Sequence, residues 1–102
     1  MSEQEIKKEI PKTLQSILWS ASVKKLDLDS DKNYIIHQVL TYGSLEQIRW
    51  LFETYGRKTI KEVFVHKPCS IYTPQSFNFT KNIILNLQNI SLNQEQYVKS
   101  IY

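Results

Sequence analysis

Apolar residues recur at helical spacing along most of the chain. Ile35, Ile36, Val39 and Leu40 fall at positions i, i+1, i+4 and i+5, which is the spacing of one face of an α-helix. Leu14 begins a shorter stripe of the same kind. The spacing predicts short helices over about residues 11–20, 31–42, 45–55, 57–65 and 74–87.

Both glycines of the chain follow a tyrosine at the end of a predicted helix. Gly43 follows Tyr42 and Gly56 follows Tyr55, where a left-handed helix cap is expected. Ser44 then begins a capping-box pattern, with Gln47 three residues later, so a new helix starts at once. The pattern predicts an all-α fold, a small compact bundle of four to five short helices with tight glycine-terminated corners.

Length and composition fit one helical domain. The chain has 102 residues, and its two glycines and three prolines are too few for the frequent turns of a β-sandwich or barrel. We expect a flexible lead-in over residues 1–10, a single helical domain over 11–87, and a polar extension over 88–102 that forms a short helix or stays mobile.

The same composition narrows the setting in which the protein acts. A single cysteine, Cys69, excludes an internal disulfide framework and favours the reducing cytoplasm. The first ten residues have no apolar signal-peptide core, and no stretch approaches 18 apolar residues. We therefore expect a cytoplasmic protein that does not interact with a membrane.

The side chains that commonly perform catalysis are scarce. The chain has two histidines, and we expect His37 at a helix edge, bonded to a carbonyl or water, and His66 just past a helix end. His66 and Cys69 have no nearby acid to orient them as a nucleophilic pair. Two isolated glycines cannot form a phosphate-binding loop. We expect a protein that is not an enzyme, with no catalytic residue, no metal site and no cofactor.

Nucleic-acid binding is the alternative function that the charges allow. The net charge is +3 and no segment is a basic block. The helical corners place Val39 and Phe52 where a helix-turn-helix needs a small residue, so neither corner fits that motif. Arg57, Lys58 and Lys61 share one helix face, which we interpret as solvated, with phosphate contact as the alternative.

Protein binding has the stronger candidates. Arg49 and Trp50 lie off the main apolar stripe of their helix, and Trp and Arg dominate binding hot spots. Trp50 has a second interpretation, as a cover for a neighbouring helix at the edge of the core. We expect exposed contact residues at Arg49, Trp50, Arg57 and Lys61.

One run of residues carries a family resemblance. Arg49-Trp50-Leu51-Phe52 and Tyr55-Gly56 give the pattern RWLF-x-x-YG, and Ile60-Lys61-Glu62-Val63 follows. With Trp19 and Asn78-Phe79, the pattern resembles a family of small bacterial proteins over about residues 14–87. Thr80 departs from it, because the family has a tryptophan there.

The resemblance implies a role beside an enzyme. Members of that family are typically encoded next to abortive-infection-type nucleotidyltransferase toxins. The expected function is therefore a non-enzymatic protein-binding module, an antitoxin or accessory partner of such a toxin. The alternative is a small nucleic-acid-binding or autoregulatory protein that uses Arg57, Lys58 and Lys61.

Overall fold

The fold is all-α, as the sequence predicts. The computed structural model describes residues 10–19 and 22–99, and over that part of the chain it has no strand, only an isolated bridge between Tyr72 and Val98. In order, the helices are 3-10 turns at Lys12–Ser16 and Val23–Lys25, α1 at Lys32–Tyr42, α2 at Leu45–Tyr55, α3 at Arg57–His66, α4 at Pro74–Phe79 with a π-helical continuation at Thr80–Ile84, and a 3-10 turn at Gln94–Gln96.

Helices α1, α2 and α3 pack against one another and form the centre of the molecule. α1 lies deepest, because all six residues from Ile35 to Leu40 are buried. α2 and α3 are amphipathic and contribute one face each, through Leu51 and through Ile60 and Phe64. The apolar stripes therefore predict the buried residues of α1 and α3 correctly, although α1 is buried on more sides than its stripe indicates. In α2 the stripe is buried at Leu51, whereas Leu45 at its start is exposed.

The corner between α1 and α2 differs from the prediction in its glycine. The Ser44–Gln47 capping box is present, with both hydrogen bonds formed. Gly43, however, has φ −75° and ψ 153°, which is extended backbone, so the predicted left-handed cap is wrong there. Glycine is needed for another reason, since a Cβ at Gly43 would lie 2.6 Å from the carbonyl oxygen of Val39.

Gly56 does have the backbone that only glycine adopts without strain. Its φ of 84° with ψ of 152° turns the chain directly from α2 into α3.

We expect Gly56→Ala to lower the free energy of unfolding by about 1–3 kcal/mol, the cost of holding a side chain in this region. Chemical denaturation measures it. The space around Gly56 is open, so an unchanged stability would show that the corner relaxes.

The segment before α1 forms two 3-10 turns instead of the predicted α-helix. Leu14, Ile17 and Leu18 are buried as their spacing predicts, but Trp19 is 62% exposed and does not extend that face. Gln38 of α1 donates from Nε2 to the carbonyl oxygen of Ile17 and so fixes the end of the first turn. The chain thus leaves the core immediately before Trp19.

The C-terminal segment packs against the body of the molecule. The Tyr72 amide donates to the Tyr97 carbonyl oxygen (2.8 Å), and the Lys99 amide donates to the Tyr72 carbonyl oxygen (3.0 Å). Tyr97 is 1% exposed, within the aromatic cluster formed by Phe64, Tyr72, Phe77 and Tyr97. The core therefore continues past the expected domain end at residue 87. The expected lead-in lies outside the described residues except for Ile10.

Candidate functional site

The four expected contact residues lie in different environments. Arg49 is exposed, and its Nε is 3.9 Å from Oε2 of Glu53 on the next turn. Trp50 is half-buried and packs against the core, in keeping with its second interpretation as a core-edge cover. Arg57 is exposed and Lys61 is half-buried, on one face of α3. The structure therefore divides these residues between α2 and α3.

Arg49 adjoins an exposed apolar surface that the sequence did not reveal. Trp19 packs on Tyr42, with ring centroids 4.9 Å apart. Tyr42 ends α1 and Leu45 begins α2, so the two side chains flank the same corner, and Leu45 is 79% exposed. Arg49 lies one helical turn after Leu45 on the same side of α2. We call Trp19, Tyr42, Leu45 and Arg49 the aromatic corner.

The sequence held only a weak signal for the aromatic corner. Leu45 belongs to the apolar stripe of α2 by spacing, but it stands at the first helical position, where the stripe extends beyond the neighbouring helix. Trp19 follows a buried stripe in the same way. Both residues stand at the end of a predicted apolar stripe, where the side chain lies beyond the edge of the core.

The cations of α3 form the second exposed surface. Arg57 donates from Nη1 to the carbonyl oxygen of Ile84 (3.2 Å), and its guanidinium carbon lies 5.0 Å from the centroid of the Phe52 ring. Lys58 is exposed and Lys61 half-buried. The guanidinium of Arg57 is therefore held in place, by a helix C-terminus and by an aromatic ring.

His37 lies in the core and not at a helix edge, so the expected flank position is wrong. It is 1% exposed, and Nε2 donates to the carbonyl oxygen of Lys67 (2.7 Å). Nδ1 is then the acceptor, and the Tyr72 hydroxyl donates to it (2.8 Å). Burial lowers the pKa of His37, so the ring is neutral. Both ring nitrogens are used to join α1 to the segment after α3.

Cys69 and His66 are the other two side chains that the sequence offers as reactive groups. Burial raises the pKa of the Cys69 thiol, which disfavours the nucleophilic thiolate. His66 is exposed at the end of α3. Among the residues that the structure describes, no group of three histidine, cysteine or acidic side chains could hold a metal ion.

A cleft of about 710 Å³ lies between the segment before α1 and the end of α2. Its polar lining is mixed in charge, with Lys12 and Lys24 against Asp27 and Asp29. Asp27 is already engaged, since its Oδ1 accepts from the amides of Asp29 and Ser30. Tyr55 donates to the carbonyl oxygen of Leu28 (2.7 Å), and burial raises its pKa. In this cleft, the side chains of Asp27 and Tyr55 are thus engaged in hydrogen bonds that stabilise the turn before α1.

A family model matches residues 13–64, about half of the chain. The chain belongs to DUF6922, a family of unknown function. The DUF6922 match includes the aromatic corner and the cations of α3, and it ends before α4 and the C-terminal segment. No curated protein and no solved structure matches the chain. No helix in the described residues of this DUF6922 protein is long and apolar enough to cross a membrane.

Proposed function

We propose that this DUF6922 protein is a cytoplasmic protein-binding module, an antitoxin or accessory partner of a nucleotidyltransferase-type toxin. The observation that carries protein binding is the aromatic corner. Trp19 packs on Tyr42 at this corner, and Trp19 is 62% exposed. Leu45 begins the next helix and is 79% exposed, and Arg49 lies one helical turn after it. Large apolar side chains that remain exposed together mark interaction sites.

The chemistry of the aromatic corner is that of a binding hot spot. Trp, Tyr and Arg are the residues whose removal costs most at protein interfaces, because each combines a large apolar surface with a polar group. Tyr42 keeps its hydroxyl near Nζ of Lys99 (3.4 Å), so the rim of the surface is polar. The Ser44–Gln47 capping box begins α2 directly after Gly43, so side-chain hydrogen bonds hold this corner.

The identity of the partner rests on the family resemblance. The RWLF-x-x-YG run lies in α2 and at the start of the α2–α3 corner, inside the DUF6922 match. Its first residue, Arg49, belongs to the aromatic corner. A partner encoded beside this protein would account for a surface that remains uncovered when the chain is alone.

The proposal predicts a nucleotidyltransferase gene beside this one, and the test is co-expression of the two products. Under the proposal, this protein rescues growth when the enzyme is toxic, and a tagged copy retains the enzyme through purification. An enzyme that stays fully toxic and forms no complex would contradict the proposal. A complex that forms without rescue of growth would support the accessory role and exclude the antitoxin role.

One substitution tests the surface itself. We expect Leu45→Asp to weaken the complex at least about 30-fold, because a hot-spot residue contributes about 2 kcal/mol or more. Stability should not fall, since an acid in the first turn of α2 interacts favourably with the helix dipole. Titration calorimetry measures the affinity.

The matched control is Ile83→Asp, which changes an equally exposed apolar residue outside the aromatic corner; Ile83 is 66% exposed. It should bind as the wild type does. Equal losses of affinity in the two variants would place the interface elsewhere on the protein.

A further inference from the structure

The cationic side chains of α3 are arranged to meet a chain of negative charges. Arg57, Lys58 and Lys61 occupy positions i, i+1 and i+4, within about 100° of the helix circumference. Arg57 is fixed by Phe52 and by the Ile84 carbonyl, and one N–H donates to that carbonyl. The guanidinium retains four further N–H donors, and little side-chain entropy remains to be lost on binding.

Apart from Glu62 on α3 itself, the chain that follows the cations contains no carboxylate for more than thirty residues. Residues 63–94 have no Asp or Glu, although they contain five asparagines and three glutamines. Neutral amides do not repel phosphate, and they both donate to and accept from the edges of bases. A surface for an acidic ligand needs this absence of negative charge as much as it needs the cations.

An exposed aromatic ring lies on the helical segment that Arg57 contacts. Phe79 ends α4 and is 49% exposed. It precedes Ile84 by five residues along α4 and its π-helical continuation, and Arg57 binds the Ile84 carbonyl. Aromatic side chains beside a cationic track are how proteins hold unpaired bases, which stack on the ring while the cations contact phosphates.

We propose that Arg57, Lys58, Lys61 and Phe79, here called the basic face, bind single-stranded nucleic acid. The cations contact successive phosphates and one base stacks on Phe79. The ligand is single-stranded because a paired base does not expose the flat side that stacks on a ring. This surface is separate from the aromatic corner, so the proposal holds or fails independently of the toxin partner.

Binding is measured by fluorescence anisotropy with labelled 12-nucleotide oligo(U) and oligo(dT), and with a 12-base-pair duplex, at 50–200 mM KCl. Three phosphate contacts predict a slope of about −2 for the logarithm of the association constant against the logarithm of salt. The two single strands should bind more tightly than the duplex, and their ratio shows whether RNA or DNA is preferred.

Four variants assign the binding to the basic face. Lys58→Gln should reduce the size of the salt slope by about 0.7. Phe79→Ala should weaken binding about 5- to 150-fold, the range for one stacked base, and Phe79→Tyr should retain it. Glu62→Gln should tighten binding, because this exposed carboxylate borders the cations on α3. Circular dichroism verifies that each variant is folded.

The control is Lys25→Gln, which removes one exposed cation from the turn at Val23–Lys25. It should leave the affinity unchanged. An equal loss in Lys25→Gln and Lys58→Gln would overturn the proposal, because net charge alone would then explain the binding. The absence of binding at 50 mM KCl would also overturn the proposal. A 12-residue polyglutamate that displaces the labelled strand at the same concentration as unlabelled oligo(U) would do so too, because the surface would then be a site for acidic proteins.

Discussion

Replacing Tyr97 with alanine is expected to lower the free energy of unfolding by about 3–5 kcal/mol, as removal of a large buried ring does. Tyr97 is 1% exposed, and its ring lies 4.8 Å from that of Phe64 and 4.8 Å from that of Phe77, measured between centroids. Its hydroxyl donates to the carbonyl oxygen of Phe64. The side chain therefore joins the C-terminal segment to α3 and α4 at once.

The conservative variant separates the ring from the hydroxyl. Tyr97→Phe keeps the packing and loses the hydrogen bond to Phe64, so we expect a loss of about 1–2 kcal/mol. Urea denaturation of the three proteins gives the comparison. A loss below about 1 kcal/mol in Tyr97→Ala would show that the C-terminal segment contributes little to the fold, and residues 88–102 would then be the polar extension that the sequence indicates.

The helical core was predictable because its signals are local. The stripe from Ile35 to Leu40 and the Ser44–Gln47 capping box each lie within a few residues, where helical spacing decides which side chains meet. Tyr97 shows the limit of such reasoning. The segment around Tyr97 is polar, so its sequence does not predict a buried residue. Tyr97 is buried because its ring packs against Phe64 and Phe77, which are distant in sequence.

The candidate surfaces were predictable to different degrees. Arg57, Lys58 and Lys61 share a face by spacing alone, so the sequence places them together correctly. The cation–aromatic contact of Arg57 with Phe52 crosses the α2–α3 corner and depends on the backbone of Gly56. The aromatic corner was missed because Trp19 and Tyr42 come together only when the chain folds back, and periodicity does not describe such contacts.

The buried histidine was placed wrongly for a related reason. A helical wheel puts His37 beside the apolar stripe, where the ring is expected at the helix edge, bonded to a carbonyl or water. The structure instead supplies partners for both nitrogens, from Lys67 and Tyr72, which are 30 and 35 residues away in sequence. A buried polar group is stable where such partners exist, and sequence spacing alone gives no sign of them.

Acid is expected to destabilise this protein through His37, and this is the second large effect. Burial lowers the pKa of the folded-state ring below 6.5, the ordinary value of a histidine in an unfolded chain. Below about pH 6.5 the unfolded state therefore binds more protons than the folded state. This contribution to stability is constant above that pH, and as the pH falls it decreases by about 1.4 kcal/mol per unit until the folded-state pKa is reached.

The structural consequence of protonation explains why the effect is large. A proton on Nδ1 removes the acceptor of the Tyr72 hydroxyl, and this hydroxyl stays protonated because burial raises the pKa of Tyr72. The Tyr72 oxygen can then only accept from Nδ1–H, and an ionised ring is buried beside Phe64. Opening of the joint between α1 and the segment around Tyr72 exposes the charged ring to water, so we expect hydrogen exchange at the Tyr72 and Lys99 amides to accelerate together.

The prediction is measured as the free energy of unfolding between pH 5 and pH 8. His37→Gln keeps a neutral donor and acceptor but cannot take up the proton, so its stability should change less with pH below 6.5 than that of the wild type. His66→Gln controls for the loss of a histidine as such, because His66 is exposed at the end of α3. Parallel pH curves for the wild type and His37→Gln would mean that the carboxylates alone cause the acid sensitivity and that the His37–Tyr72 contact does not depend on protonation.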